Sequence, residues 1–212
     1  MKKKNLKIVL SIIILLIVIF LGIRIYLHVY ASKLEDKTFN KLGNNYYIKI
    51  IDTDNAINKK TLVEIWYTDE KQAIKTGNME APENFSKIYH DSKKKMSTLL
   101  PSNSNIASVV VDKNANWFSL YTNYIDFEAY LTNEEFMQIK SIKTKEIDNK
   151  ECYVVKNKNK TIYIDKESNL PIKIEYETRT YTFEFSVGNV KEEDVSTDNL
   201  SEFFVTINTI IE

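Results

Sequence analysis

Two histidines and one cysteine bound the side-chain chemistry open to this chain of 212 residues. His28 sits at the edge of a long apolar run, so a hydrolytic Ser-His-Asp arrangement would have to use His90. There is no G-x-S-x-G nucleophile elbow and no Gly-rich phosphate loop. Two histidines are too few for a His-based zinc site. Cys152 rules out an intrachain disulfide, because it has no second cysteine to pair with. No His or helix N-terminus stands near it in the sequence to lower its thiol pKa, so it reads as a small buried residue rather than a nucleophile. Asp52-Thr53-Asp54-Asn55 resembles the start of a calcium loop but lacks its Gly and distal Glu. It reads as an Asx-rich turn. Lys93-Lys94-Lys95 reads as a solvated face. The expectation is a chain with no catalytic residue, no metal and no cofactor. Aromatic residues are the other notable set: Trp66, Trp117, Phe118, Tyr121, Tyr124, Phe127 and Tyr130. Such residues are core by default, and they are also what would line an apolar pocket.

Ile8 to Ile23 is a charge-free run of sixteen positions, preceded by Lys2, Lys3, Lys4 and Lys7. Extended from Leu6 to Val29, it reaches the roughly 20 residues that a bilayer core requires. Arg24 can snorkel at one end, and Tyr26, His28 and Tyr30 form an interfacial fringe. With the basic cluster in front, the N-terminus is expected in the cytoplasm and the rest of the chain outside, as a single-pass protein of the cell membrane. The alternative is a signal peptide cleaved after Val29-Tyr30-Ala31, but the apolar core exceeds the usual h-region. The expected organisation is a cytoplasmic tip and anchor over 1–30, a polar linker or first helical turn over 31–43, and one β-rich domain over 44–212.

Five of the 29 basic residues and none of the 29 acidic ones precede residue 31, which leaves 24 against 29 and a net charge of −5 outside. That excludes a basic nucleic-acid footprint and argues against general adhesion to an anionic membrane surface. Period-two alternation marks strands at 46–51, 61–67, 153–157, 161–165, 172–177 and 181–187, with shorter ones at 71–75, 86–90, 108–111 and 117–121. Thr132 and Glu135 form a capping box ahead of Phe136, Ile139 and Ile142, which predicts a helix from Asn133 to Ile142 lying on the sheet. Folding 172–177 against 181–187 about Thr178-Arg179 pairs Tyr176 with Tyr181, Ile174 with Phe183, Ile172 with Phe185 and, on the other face, Lys173 with Glu184.

The segment from Cys152 to Val195 is similar to the C-terminal half of the lipoprotein-carrier superfamily, the LolA/LolB-like and RseB-like proteins. The likeness rests on Tyr163-Ile164-Asp165 followed by Leu170-Pro171-Ile172-Lys173, and it covers about residues 147–195. It implies an α+β, mainly β architecture: after the transmembrane helix, a curved antiparallel sheet forming an open half-barrel, with a covering helix. It implies a non-enzymatic module whose concave apolar face takes a lipid, an acylated protein or another apolar ligand. Trp117, Tyr121, Phe127, Phe136 and Ile139 are the candidate lining. The alternative is a protein-interaction or regulatory accessory protein of the cell envelope. An envelope hydrolase using His90 is the remote third.

Overall fold

The computed structural model describes residues 2–102, 104–111, 138–198 and 204–209. It begins with a helix of 41 residues, α1 (Lys2–Leu42). Its first half is apolar on all sides, with the side chains from Ile8 to Ile23 exposed, and it is long enough to cross a bilayer. Its second half is different. Leu27, Ala31, Leu34, Thr38 and Leu42 recur every three or four residues and lie on one face, and all but the half-buried Leu27 are fully buried. The stretch 31–43, expected as a linker or a first turn, is thus helical through Leu42 and packed. The helix ends at Gly43, whose positive φ of 58° suits the left-handed stop that glycine adopts without strain.

Twelve strands follow: β1 (Asn45–Asp54), β2 (Lys59–Thr68), β3 (Lys71–Asn78), β4 (Ser86–Asp91), β5 (Met96–Leu100), β6 (Ile106–Val111), β7 (Ser141–Ile147), β8 (Lys150–Lys156), β9 (Lys160–Asp165), β10 (Pro171–Tyr176), β11 (Arg179–Val187) and β12 (Phe204–Thr209). They form one curved, unclosed sheet in the order β12-β6-β5-β4-β3-β2-β1-β11-β10-β9-β8-β7. Every pairing is antiparallel except β12 on β6. Strand and helix lie head to tail. α1 packs down the concave side to Leu42, and β1 returns past it.

Alternation sorts the side chains between two cores. Ile48 and Ile50 of β1, Val63 of β2, Ile162 and Ile164 of β9 and Phe183 of β11 face Ala31 and Leu34 of α1. On the convex side Ala73, Tyr89, Leu100 and Ala107 pack with Val190 and Val195, carried by the segment around the short α2 (Glu192–Val195). Asn45 holds that segment down. Its side-chain amide donates to the Val190 carbonyl and its Oδ1 accepts from the Val190 N–H, each at 2.9 Å.

Three expectations are corrected. The β10–β11 register differs by two residues: Ile174 stands opposite Tyr181 and Lys173 opposite Thr182. Lys173 bonds Glu175 on its own strand, and Glu184 bonds Lys49. A slip of two leaves each side chain on its face, so alternation alone cannot distinguish the two registers. Ser141 and Ile142 belong to β7, with Ile142 opposite Val155. The backbone ladder with β8 takes these residues, so the helix expected through Ile142 does not include them. Residues 133–137 of that helix, and the strand expected at 117–121, lie outside the described residues. Among the described residues, the element that covers the concave face is the second half of α1.

Candidate functional site

A ligand of the concave face would have to occupy the space that α1 fills. Ala31 and Leu34 sit in the centre of that face, with Leu27, Tyr30 and Phe39 packed around them. Tyr30 meets Tyr153 of β8 edge to face at 6.1 Å, and the Thr38 hydroxyl donates to the Asn169 carbonyl at 2.6 Å. Ile139 is buried in the same core, and its carbonyl accepts a hydrogen bond from the Arg24 guanidinium. Trp117, Tyr121, Phe127 and Phe136 lie outside the described residues. Of the expected lining, the structure therefore places Ile139 alone, as a core residue.

Polar groups collect where α1 leaves the sheet. Asp52, near the end of β1, is buried and pairs through Oδ2 with Arg179 at 3.2 Å, while its Oδ1 meets no partner. Burial pushes the Asp52 carboxyl up, against the opposing pull of Arg179. Asn157, in the β8–β9 turn, is 1% exposed, and neither side-chain amide atom has a hydrogen-bond partner. A buried unpaired amide is costly and uncommon in native folds.

His90, Ser97 and Cys152 are buried. His90 of β4 and Ser97 of β5 stand opposite each other with Nδ1 to Oγ at 2.9 Å. Both are buried, and the nearby cavity of about 20 Å³, lined by Tyr89, His90, Thr98 and Val195 among others, holds little more than one water. Cys152 is fully buried, and burial pushes its thiol up, with Asp165 adding to the effect. No group of three or more His, Cys, Asp or Glu side chains that could hold a metal occurs among the described residues.

A groove of about 230 Å³ lies between Ile51, Ile172, Phe183 and the β7–β8 turn at Ile147, with Lys49, Lys173 and Glu184 along it. Beside it Tyr163 donates to Glu175 at 2.6 Å and Lys173 pairs with Glu175 at 2.5 Å. Burial, then the bond to Glu175, pushes the Tyr163 hydroxyl up to about 12. Although burial pushes Glu175 up, Lys173 and Tyr163 together pull it below its usual value. These groups are pinned in their resting protonation states at neutral pH, which suits structure rather than proton transfer.

Two strand edges complete the surface among the described residues. The β7 edge carries exposed Lys143 and Lys145, which discourage pairing with another strand. The β12 edge has no charge along Phe204-Val205-Thr206-Ile207-Asn208-Thr209, and Val205 is exposed. The α1 stripe was legible in the sequence through its i, i+4, i+7 spacing, although Ala31 and Thr38 weaken its apolar signal. No sequence pattern announces the buried Asn157.

No protein-family profile matches the chain, and no curated protein matches it. Among solved structures, PNGF-II is similar at 10% identity and a TM-score of 0.34, covering 79% of this chain and 32% of its own. MucB from the Pseudomonas aeruginosa MucA/MucB complex is similar at 10% identity and 0.44, covering 80% and 62%. A putative outer membrane lipoprotein-sorting protein domain from Vibrio parahaemolyticus is similar at 9% and 0.32, covering 81% and 97%. The chain thus spans about a third of PNGF-II and under two thirds of MucB. The last two are of the RseB-like and LolA/LolB-like kinds that the C-terminal sequence resembles. The functional reading rests on this chain's own geometry.

Proposed function

We propose that the chain is a membrane-anchored, non-enzymatic module of the cell envelope that works by binding another protein along its sheet. The observation that carries this reading is the occupation of the concave face by residues 27–42 of α1. An acyl chain entering there would have to displace a helix whose burial of Leu34 and its neighbours contributes several kcal/mol. Among the described residues, the surface suited to a partner is the uncharged β12 edge, where an extended segment would add as a further strand through main-chain hydrogen bonds. The same packing supports a retained anchor. Ala31 is fully buried in mid-helix, and cleavage after it would strip away Leu27, Tyr30 and the Arg24 contact to Ile139. Lys2, Lys3, Lys4 and Lys7 support an orientation with the N-terminus in the cytoplasm and the sheet outside.

A photo-crosslinking residue at Val205, in cells, tests the reading against one at Thr144 on the lysine-bearing β7 edge. A discrete protein adduct from Val205 and none from Thr144 is the expected result. Native mass spectrometry of the detergent-extracted full chain supplies the opposing outcome. Stoichiometric retention of a lipid, with no adduct from either edge, would return the apolar-ligand reading to the front.

A further inference from the structure

We propose that the rim of the sheet from which α1 emerges is a bilayer-docking surface, so that the hairpin tips there rest in the lipid headgroup layer. This rests on the anchored reading of α1. Contacts along α1 fix which rim it is. Thr38 meets Asn169 in the β9–β10 turn, Tyr30 meets Tyr153 in mid-sheet, and Arg24 meets Ile139 just ahead of β7. The helix therefore leaves past the rim formed by the turns at 55–58, 79–85, 157–159 and 177–178 and by residues 101–102 and 104–105.

The two rims differ in composition. Beyond α1, the large apolar side chains exposed among the described residues are Ile57, Met79, Ile106, Tyr176 and Val205, at 69%, 39%, 44%, 38% and 55%. Ile57 lies in the β1–β2 turn, Met79 follows β3, Ile106 opens β6, Tyr176 closes β10, and Val205 lies at the start of β12 beside Ala107. All five are at the exit rim. The opposite rim has connections at Asp69-Glu70, Ser92-Lys93-Lys94-Lys95, Asp148-Asn149 and Lys166-Glu167-Ser168-Asn169-Leu170; Leu170 there is buried, and no large apolar residue is exposed among the described residues of that rim. Isolated exposed apolar side chains are ordinary on a protein surface, but their confinement to one rim is not.

Length places that rim at the membrane. A bilayer core takes about 20 helical residues at ~1.5 Å each. Counted from Ile8, the span ends near Leu27, so Arg24 and the rim level with it lie at the headgroups. Ile57 protrudes from a turn that Asp54 shapes by accepting the Ala56 N–H at 2.9 Å. Lys59 and Lys60 follow it, exposed, where they can meet lipid phosphates. The net charge of −5 beyond residue 30 gives no general attraction to an anionic surface. Docking therefore depends on the tether and on the apolar tips.

The full chain, reconstituted in vesicles of phosphatidylethanolamine and phosphatidylglycerol, tests the proposal. Ile57→Cys, Met79→Cys and Lys94→Cys variants each take an environment-sensitive fluorophore, and Cys152 stays in place because it is buried. Lys94 lies on the far rim, roughly 30 Å away along ten strand residues. Lipids bearing a headgroup nitroxide should quench the probes at 57 and 79 several-fold more strongly than the probe at 94. Vesicle flotation separates the two layers of the argument. Protein that floats with the vesicles but shows equal, weak quenching at all three sites would overturn the docked rim and leave the anchor standing. Protein that does not float would overturn both.

Discussion

Leu34→Ala addresses the central structural claim, that residues 27–42 belong to the core. Leu34 is 2% exposed and packs among the isoleucines of the concave face. Truncation removes three carbons, worth ~0.8 kcal/mol each in transfer from water, about 2.4 kcal/mol together. The cavity left behind adds to this, because β1 and β9 are fixed by their ladders and cannot close on it. The expected loss is about 3 kcal/mol, within the range of roughly 2–5 found for buried leucines. Lys33 is one residue away and exposed, so Lys33→Ala should change stability by no more than about 0.5 kcal/mol. Urea unfolding of the detergent-solubilised full chain measures both, followed by tryptophan fluorescence, to which Trp66 against the convex core contributes. Equal midpoints for the two variants would show that the segment is a linker after all and would refute the packed-helix reasoning.

Three further outcomes are expected. A double-mutant cycle on Lys49 and Glu184, 3.1 Å apart and partly exposed, should give a coupling of about 0.2–1 kcal/mol, and one on Lys173 and Glu184 should give none; the reverse would restore the register paired about Thr178-Arg179. Asn157→Leu should be neutral or stabilising, by up to about 2 kcal/mol, since it removes a buried amide with no partner; a loss above about 1 kcal/mol in the same urea assay would mean the amide is satisfied. Burial raises the Asp165 carboxyl, but the Ser168 hydroxyl and the Glu167 and Ser168 N–H groups outweigh it and hold it below the ordinary 3.8. The unfolded chain therefore binds the proton more readily, and the stability that Asp165 contributes is full above about that value and lost as pH falls through its lowered folded value. Asp165→Asn should thus be less stable than the parent at pH 7, with the gap closing in acid; a gap independent of pH would refute that assignment.

Local pattern decided much of this molecule. The sixteen uncharged residues from Ile8 determined an exposed apolar helix, because no polar face exists to turn toward water. Alternation in Ile48-Lys49-Ile50 and Ile162-Tyr163-Ile164 determined which side chains face the core, since a strand sends neighbours to opposite faces. Other features depended on what each segment meets in space. Asp52-Thr53-Asp54-Asn55 reads as an Asx-rich turn, but Asp52, Thr53 and Asp54 lie in β1, because both β2 and β11 offer them backbone partners; of the four only Asn55 is in the turn, which Asp54 shapes by accepting the Ala56 N–H. The β10–β11 pairing could slide by two residues without moving any side chain to the other face. β11 also pairs with β1, where Lys49 stands opposite Glu184 and Ile50 opposite Phe183. Phe136, Ile139 and Ile142 had helical spacing, but Ile142 lies in β7 because the edge of β8 offers its backbone partners. The stretch 31–43 looked like a polar tether because Ala31 and Thr38 carry little apolar weight. Only the curved sheet around them makes small residues the right filling, and so turns the anchor's own continuation into the cover of the concave face.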